Sequence, residues 1–245
     1  MFPLKDDIPS RTTPFVTCGL IALNILIFLY QVSLQGEGSP AGLRAARDFI
    51  FEFGLVPCRL TGDCAPGGGL LPPALTVLTS MFLHGGILHV GGNMLYLWIF
   101  GNNIEDTLGH GRFLVFYLVS GVAATAAQVA LGAASSVPMI GASGAIAGVL
   151  GAYLLLFPRA NVLTLIIFGF FVRFVRIPAV FVLGFWFLVQ FLSGLATWAA
   201  SVPRGEAAGG ETAWFAHLGG FLTGMALLFV LRPRDPWARG PSRSW

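Results

Sequence analysis

Four polar side chains lie in strongly apolar surroundings, and their types suit acyl-transfer chemistry: Ser143, His217, His89 and Asn93. A serine hydroxyl is a poor nucleophile until a base takes its proton, and histidine has a suitable pKa for that step. The oxyanion formed at an attacked carbonyl needs donors, which Asn and His side chains or backbone N–H groups supply. Each residue also has a plainer reading. A serine among glycines is usually packing, and a single histidine in an apolar segment is more often a relay or a packed polar group. His84 and His89 are five apart, and without a His-Glu-x-x-His pattern they do not suggest zinc. Only the four residues in combination argue for catalysis, so the elements that carry them must bring them together.

Those elements belong in lipid. Hydrophobic residues make up 56% of the 245 positions and charged residues 10%, against about 25% charged in soluble domains. Six apolar segments have roughly the length to span a bilayer: Pro14–Val32, Ala74–Gly101, Phe113–Leu131, Ser143–Phe157, Ala179–Ala200 and Ala213–Leu231. The first has no convincing cleavage site and reads as a transmembrane helix rather than a signal peptide. Of the Lys and Arg residues, ten fall on one side of these spans (Lys5, Arg11, Arg112, Arg159, Arg173, Arg176 and four in the tail). Arg44, Arg47, Arg59 and Arg204 fall on the other. The bias predicts that both termini are cytoplasmic. The expected fold is an all-α polytopic membrane protein with six transmembrane helices. Residues 1–13 form a cytoplasmic N-terminus, 14–231 the membrane domain, and 232–245 a basic, disordered tail. No basic run suggests nucleic acid, and the short termini favour a bacterial inner membrane over an organelle.

Helical rise places the four residues in one layer. The fourth segment covers roughly 22 Å, less than the roughly 30 Å hydrocarbon core. Pro158 and Arg159 hold its lower end at the cytoplasmic surface, so Ser143 must lie below the outer surface. Val137–Ala142 must then dip in to meet it. Ser143 and His217 are each fourteen residues from the lower end of their spans, or about 21 Å. His89 and Asn93 share one face of the second span, His89 near the same height. Gly144 and Gly148, and Ala216, Gly220 and Gly224, recur at four-residue spacing. Such faces let helices approach closely.

The connections carry further expectations. Residues 35–73 form a long external loop, within which Leu43–Leu55 suits an amphipathic helix. Cys58 and Cys64 lie in this loop and could pair as a disulfide if it faces an oxidising compartment. A metal site is disfavoured there, because no further Cys or His is close. Asn161–Ile177 is apolar but broken by Gly169, Arg173 and Arg176, and reads as an interfacial excursion. His110, in a short turn, is assigned no role.

Three motifs resemble those of the rhomboid intramembrane proteases: His84-x4-His89-x3-Asn93, Gly141-x-Ser143-Gly144, and Ala216-His217-x-Gly219-Gly220-x3-Gly224. Gly101-x3-Glu105-x3-Gly109 is also family-like. Each is weak alone, but their order and spacing over residues 8–231 make a specific set. The resemblance implies a Ser143–His217 dyad without an acidic third member and without a cofactor. It implies an oxyanion hole from His89, Asn93 and the Ser143 N–H. His84 would give hydrogen-bonded support to the second helix and the external loop. Glu105 would tie the cytoplasmic turn, and Gly141 would let the chain lie close to the cleavage site. Implied substrates are single-span membrane proteins, admitted laterally between the second and fifth helices. Phe185, Trp186 and Phe187 are gate candidates there, although lipid contact is the favoured reading. The Trp-Arg pair that many relatives carry in the first external loop is absent, and a Cys58–Cys64 bridge could brace the loop instead. The competing functions are a catalytically silent client binder and a histidine-relay transporter.

Overall fold

A chain in lipid must satisfy its own backbone polar groups, and helices do this locally. A computed structural model describes residues 2–64, 69–201 and 212–232. Among these, the helices are α1 (Phe15–Leu34), α2 (Pro40–Phe53), α3 (Pro57–Thr61), α4 (Pro73–Thr79), α5 (Ile87–Tyr96), α6 (Asn102–Leu108), α7 (His110–Leu131), α8 (Ser143–Leu156), α9 (Ala179–Ser201) and α10 (Trp214–Leu231). Four of them, α1, α7, α9 and α10, are individually long and apolar enough to cross a membrane. A fifth span is reached if the bent pair Pro73–Phe82 and Ile87–Leu108 counts as one. The apolar α8 is shorter, at 14 residues. The tail from residue 233 onward lies outside the described residues.

The second apolar segment departs from expectation. Pro73–Phe82 is bent by 81° from Ile87–Leu108, so the straight part of the span begins at Ile87, not at Ala74. The break falls at Gly85-Gly86, which hydropathy alone does not register because both flanks are apolar. His84 therefore lies in the bend and not within the span. A π-helical turn at Leu97–Gly101 joins α5 to α6, a locally widened turn often associated with functional sites.

The all-α expectation also needs correction. The stretch after α8 is a β-hairpin, β2 (Asn161–Phe168) and β3 (Phe171–Pro178), with Gly169 at φ +56° in its turn. The N-terminal residues add a strand, β1 (Phe2–Lys5), giving an antiparallel sheet in the order β1-β2-β3. Val, Ile and Phe in period-two alternation favour strands over helix. The inward positions Val162 and Thr164 are fully buried, and Val162 joins the main core. The sheet lies at the end of α8 opposite Ser143.

Buried carboxylates tie this end together. Glu105 accepts from the N–H groups of Val16 (2.9 Å) and Thr17 (2.8 Å), from the Thr17 hydroxyl (2.7 Å), and pairs with His110 Nδ1 at 2.5 Å. A carboxylate at the exposed donors of a helix start is favourable, so Glu105 caps α1 as well as holding the α6–α7 turn. His110 has a place in that arrangement. Asp6 accepts from Tyr153 on α8 and Asn103 on α6, both at 2.6 Å.

At the other end lies the long connection between α1 and α4. Its α2 is amphipathic, and Cys58 and Cys64 are paired with Cα atoms 5.0 Å apart. Leu55 and Met139 exchange backbone hydrogen bonds of 3.1 and 2.7 Å, and the Cys58 N–H donates to Ser135 O at 3.0 Å. The loop thus holds the segment that dips toward Ser143.

Burial raises the Asp6 carboxyl above its ordinary pKa, and the Tyr153 and Asn103 hydrogen bonds offset this only in part. A carboxyl with a raised folded pKa contributes its full stability below its unfolded pKa and loses it as pH rises through the folded value. Asp6→Asn keeps an acceptor for both donors and removes that loss. Thermal unfolding in detergent should show a flatter dependence of Tm on pH for the variant, and at neutral pH a Tm no lower than the parent's. A lower neutral Tm with an unchanged pH slope would contradict this.

Candidate active site

Ser143 is the first residue of α8, a position whose N–H has no acceptor within the helix. The helix begins there because Gly141, at φ +124°, turns the chain inward and donates its N–H to Ser80 O at 2.9 Å. His217 lies in the first turns of α10. The start of α10 is fixed from α7, where Gln128 Oε1 accepts from the N–H groups of Phe215 (3.1 Å) and Ala216 (3.3 Å).

Seam packing brings the two together. A Cβ added at Gly220 would lie 2.0 Å from Gly144 O, and one at Gly224 2.1 Å from Gly148 O. Neither is tolerable, so backbone of α10 rests on backbone of α8. His217 Nε2 then stands 2.7 Å from Ser143 Oγ, within hydrogen-bond reach of a nucleophile and its base.

The donors expected for an oxyanion face the same point. His89 Nδ1 accepts from the Gly85 N–H at 3.3 Å, which leaves the proton on Nε2, free to donate. A Cβ on Gly141 would fall 2.8 Å from His89 Nε2 and 3.7 Å from Asn93 Nδ2, so both nitrogens border the backbone just ahead of Ser143. Asn93 is nine-tenths buried, and its Nδ2 has no protein acceptor among the described residues. A donor held unpaired in the interior is costly and is available to a reacting oxygen. These groups line a cavity of about 380 Å³ that also includes Tyr96 of α5 and Trp186 of α9.

Three expectations change in detail. His84 is buried, but its main chain, not its ring, makes the link to α1. Gln31 donates to His84 O at 3.1 Å and accepts from His84 N at 3.0 Å, while the ring meets His89 edge-on at 5.0 Å. Phe185 is exposed as expected of lipid contact. Trp186 and Phe187 instead turn inward, onto His217 (5.9 Å) and Phe221 (4.8 Å) respectively. Gln190, on the same face of α9, was not anticipated: its Oε1 lies 2.6 Å from His217 Nδ1. Gln128, Gln31 and Gln190 are amides in apolar helices, and that rarity was the available signal for all three.

Gly141→Ala tests the oxyanion geometry. The methyl group meets His89 Nε2 and forces a rare positive φ on a residue with a side chain. Reactivity of Ser143 toward a fluorophosphonate should fall by about 10²-fold, the usual cost of one oxyanion donor. Labelling at the parental rate would contradict the arrangement.

Comparison with known proteins agrees with these motifs. A family model described as a rhomboid domain matches residues 73–234. Rhomboid protein 1, mitochondrial, of Saccharomyces cerevisiae is 34% identical over 159 residues, covering 62% of this chain and 40% of that protein. RHOMBOID-like protein 6, mitochondrial, of Arabidopsis thaliana is 31% identical over 163 residues, 66% of this chain and 45% of that protein. Rhomboid protease GluP of Bacillus subtilis is 45% identical over 78 residues, 32% of this chain and 15% of that protein. The chain spans less than half the length of each of these curated relatives.

Proposed function

As the chain belongs to the rhomboid family, we propose that it is an intramembrane serine endopeptidase that cuts transmembrane segments through a Ser143–His217 dyad. The observation that carries this reading is the 2.7 Å approach of His217 Nε2 to Ser143 Oγ. Ser143 attacks the substrate carbonyl as His217 Nε2 takes its proton. The oxyanion meets the Ser143 N–H, His89 Nε2 and Asn93 Nδ2. His217 then returns the proton to the leaving amine, and water hydrolyses the acyl-enzyme by the same steps in reverse roles. Substrates are single-span membrane proteins, and the cavity edge formed by Tyr96 and Trp186 favours access between α5 and α9.

In the bilayer, α1, the Ile87–Leu108 helix, α7, α8, α9 and α10 form the six spans, with both termini cytoplasmic. The paired Cys58 and Cys64 favour an oxidising compartment on the Ser143 side. The expected bacterial inner membrane gains no support from the relatives, since two of those compared are named as mitochondrial. A catalytically silent client binder is the second reading, and the retained Ser143, His217, His89 and Asn93 weigh against it.

Purified protein in detergent should cleave a generic transmembrane substrate. Ser143→Ala should reduce kcat to background, a fall on the order of 10⁵-fold or more, with the fold intact by thermal unfolding. Equal cleavage by both proteins would remove Ser143 as nucleophile. A fluorophosphonate that leaves Ser143 unlabelled in the native chain would favour the silent binder.

A further inference from the structure

We propose that Gln190 is a neutral positioning residue that fixes the tautomer of His217, so that the base is set from α9. This rests on the protease reading. The His217 ring is held at both nitrogens: Nε2 is 2.7 Å from Ser143 Oγ and Nδ1 is 2.6 Å from Gln190 Oε1. To accept the serine proton, Nε2 must be bare, so the single proton of the neutral ring must sit on Nδ1. A carbonyl oxygen can only accept. Gln190 Oε1 therefore satisfies the Nδ1–H tautomer and repels the other, whose Nδ1 lone pair would face it. When Ser143 gives its proton to Nε2, the Nδ1–H stays on Gln190 and only the Nε2 proton travels on to the leaving amine.

An amide suits this depth better than a carboxylate. A carboxylate here would require a charge in the membrane interior, where Asp or Glu is expensive, while an amide oxygen orients the ring without one. Gln190 is also placed to report on α9. Trp186, four residues earlier on the same helix face, packs on His217 at 5.9 Å and on Phe221 at 6.1 Å. Both contacts to the base thus come from one helix that borders the cavity, and a shift of α9 loosens them together.

The test pairs tautomer with kinetics in full-length protein. Nitrogen-15 NMR of labelled histidine, with the His217 signals identified by loss in His217→Ala, should show Nδ1 protonated in the native chain. Gln190→Leu, close in size, should lose that preference. It should lower kcat and the rate of fluorophosphonate labelling by about 10- to 100-fold, the range for partners that orient metal-bound histidines, with KM little changed. Gln190→Glu restores the acceptor and should recover part of kcat, with the rising limb of its pH–rate profile moved to higher pH by the added negative charge. An unmoved limb would show that the side chain at position 190 does not face His217. Native NMR showing Nε2 protonated, or Gln190→Leu with parental kcat and pH profile, would overturn the proposal while leaving Ser143 as nucleophile. If the native chain neither cleaves nor labels, yet His217 carries its proton on Nδ1, the protease reading fails and Gln190 still sets the tautomer.

A different observation carries a second inference: the structure assigns the β2–β3 hairpin to the bilayer surface, as a wedge for anionic lipid headgroups. Its tip is apolar on both faces, with Phe168 80%, Phe170 103%, Phe171 72% and Phe174 65% exposed. Arg173 and Arg176 lie on β3 among these aromatics. The sheet sits at membrane level, because β3 ends at Pro178 and the spanning helix α9 begins at Ala179. A hairpin this long reaches roughly 26 Å from that point. Pointing into water, it would expose four phenylalanines. Lying along the headgroups, it buries them while the arginines meet phosphates. The free edge of β3 stays in the hydrated interface, where its backbone groups find partners.

A nitroxide on Phe170→Cys, in a Cys18→Ser background, reads the position in vesicles containing phosphatidylglycerol. Collisions with oxygen should exceed those with a water-soluble nickel chelate. Replacing both arginines with glutamine, or using pure phosphatidylcholine, should reduce that excess. Nickel-dominated collisions in phosphatidylglycerol vesicles would overturn the assignment, as would strong spin–spin coupling between labels, which would show a second copy on the hairpin.

Discussion

The backbone of α10 lies directly on the backbone of α8, and the site depends on that contact. Gly144 and Gly148 on one helix face Gly220 and Gly224 on the other, with no room for a single Cβ between carbonyl and Cα. In lipid, helices gain little from burying apolar surface, so close van der Waals approach is what holds them. The same approach sets the contact between Ser143 and His217. Serine and histidine side chains are short, and only helices this close let Nε2 reach Oγ without another residue between them. Packing and the Ser143–His217 contact thus draw on the same glycines.

The rest of the structure keeps that seam at the right depth and its polar groups occupied. Because α8 is short, its N-terminus ends inside the protein, and an irregular segment must reach it. That segment is tolerated because Leu55, Cys58 and Ser80 take its backbone hydrogen bonds. Several interior polar groups elsewhere are matched by backbone or side-chain partners. Gln31 holds the bend at His84, Gln128 caps α10, and Glu105 caps α1. Asn24 Oδ1, both His84 ring nitrogens, Asn103 Oδ1, Tyr117 Oη and Ser120 Oγ are buried without a protein partner among the described residues, and so is Asn93 Nδ2, the amide donor beside Ser143. An unpaired donor at that place is what a developing oxyanion needs.

The site was more legible in the sequence than the fold around it. Ser143, His217, His89 and Asn93 could be placed in one layer by counting helical rise, because helices convert sequence distance into depth without ambiguity. Gly220 and Gly224 announced the seam by spacing alone. Hydropathy could not separate Pro73–Phe82 from Ile87–Leu108, since a bend between two apolar stretches leaves the average unchanged. Nor could it tell the β2–β3 hairpin from a broken apolar excursion, because mean hydropathy does not register the period-two alternation or the pairing across Gly169. Gln190 was missed because an orienting partner has no fixed spacing from the residue it orients. His110 was passed over because its partner, Glu105, is recognisable only once α6 and α7 fold back on each other.

Gly220→Ala examines the seam itself. One methyl group at this position would meet Gly144 O at 2.0 Å, so α10 must move outward from α8 and carry His217 off Ser143. Labelling of Ser143 by a fluorophosphonate, followed together with thermal unfolding, should fall by about 10²-fold or more while a cooperative transition persists at lower temperature. Labelling at the parental rate in a folded Gly220→Ala protein would mean that the dyad does not depend on the backbone contact, and would contradict the account.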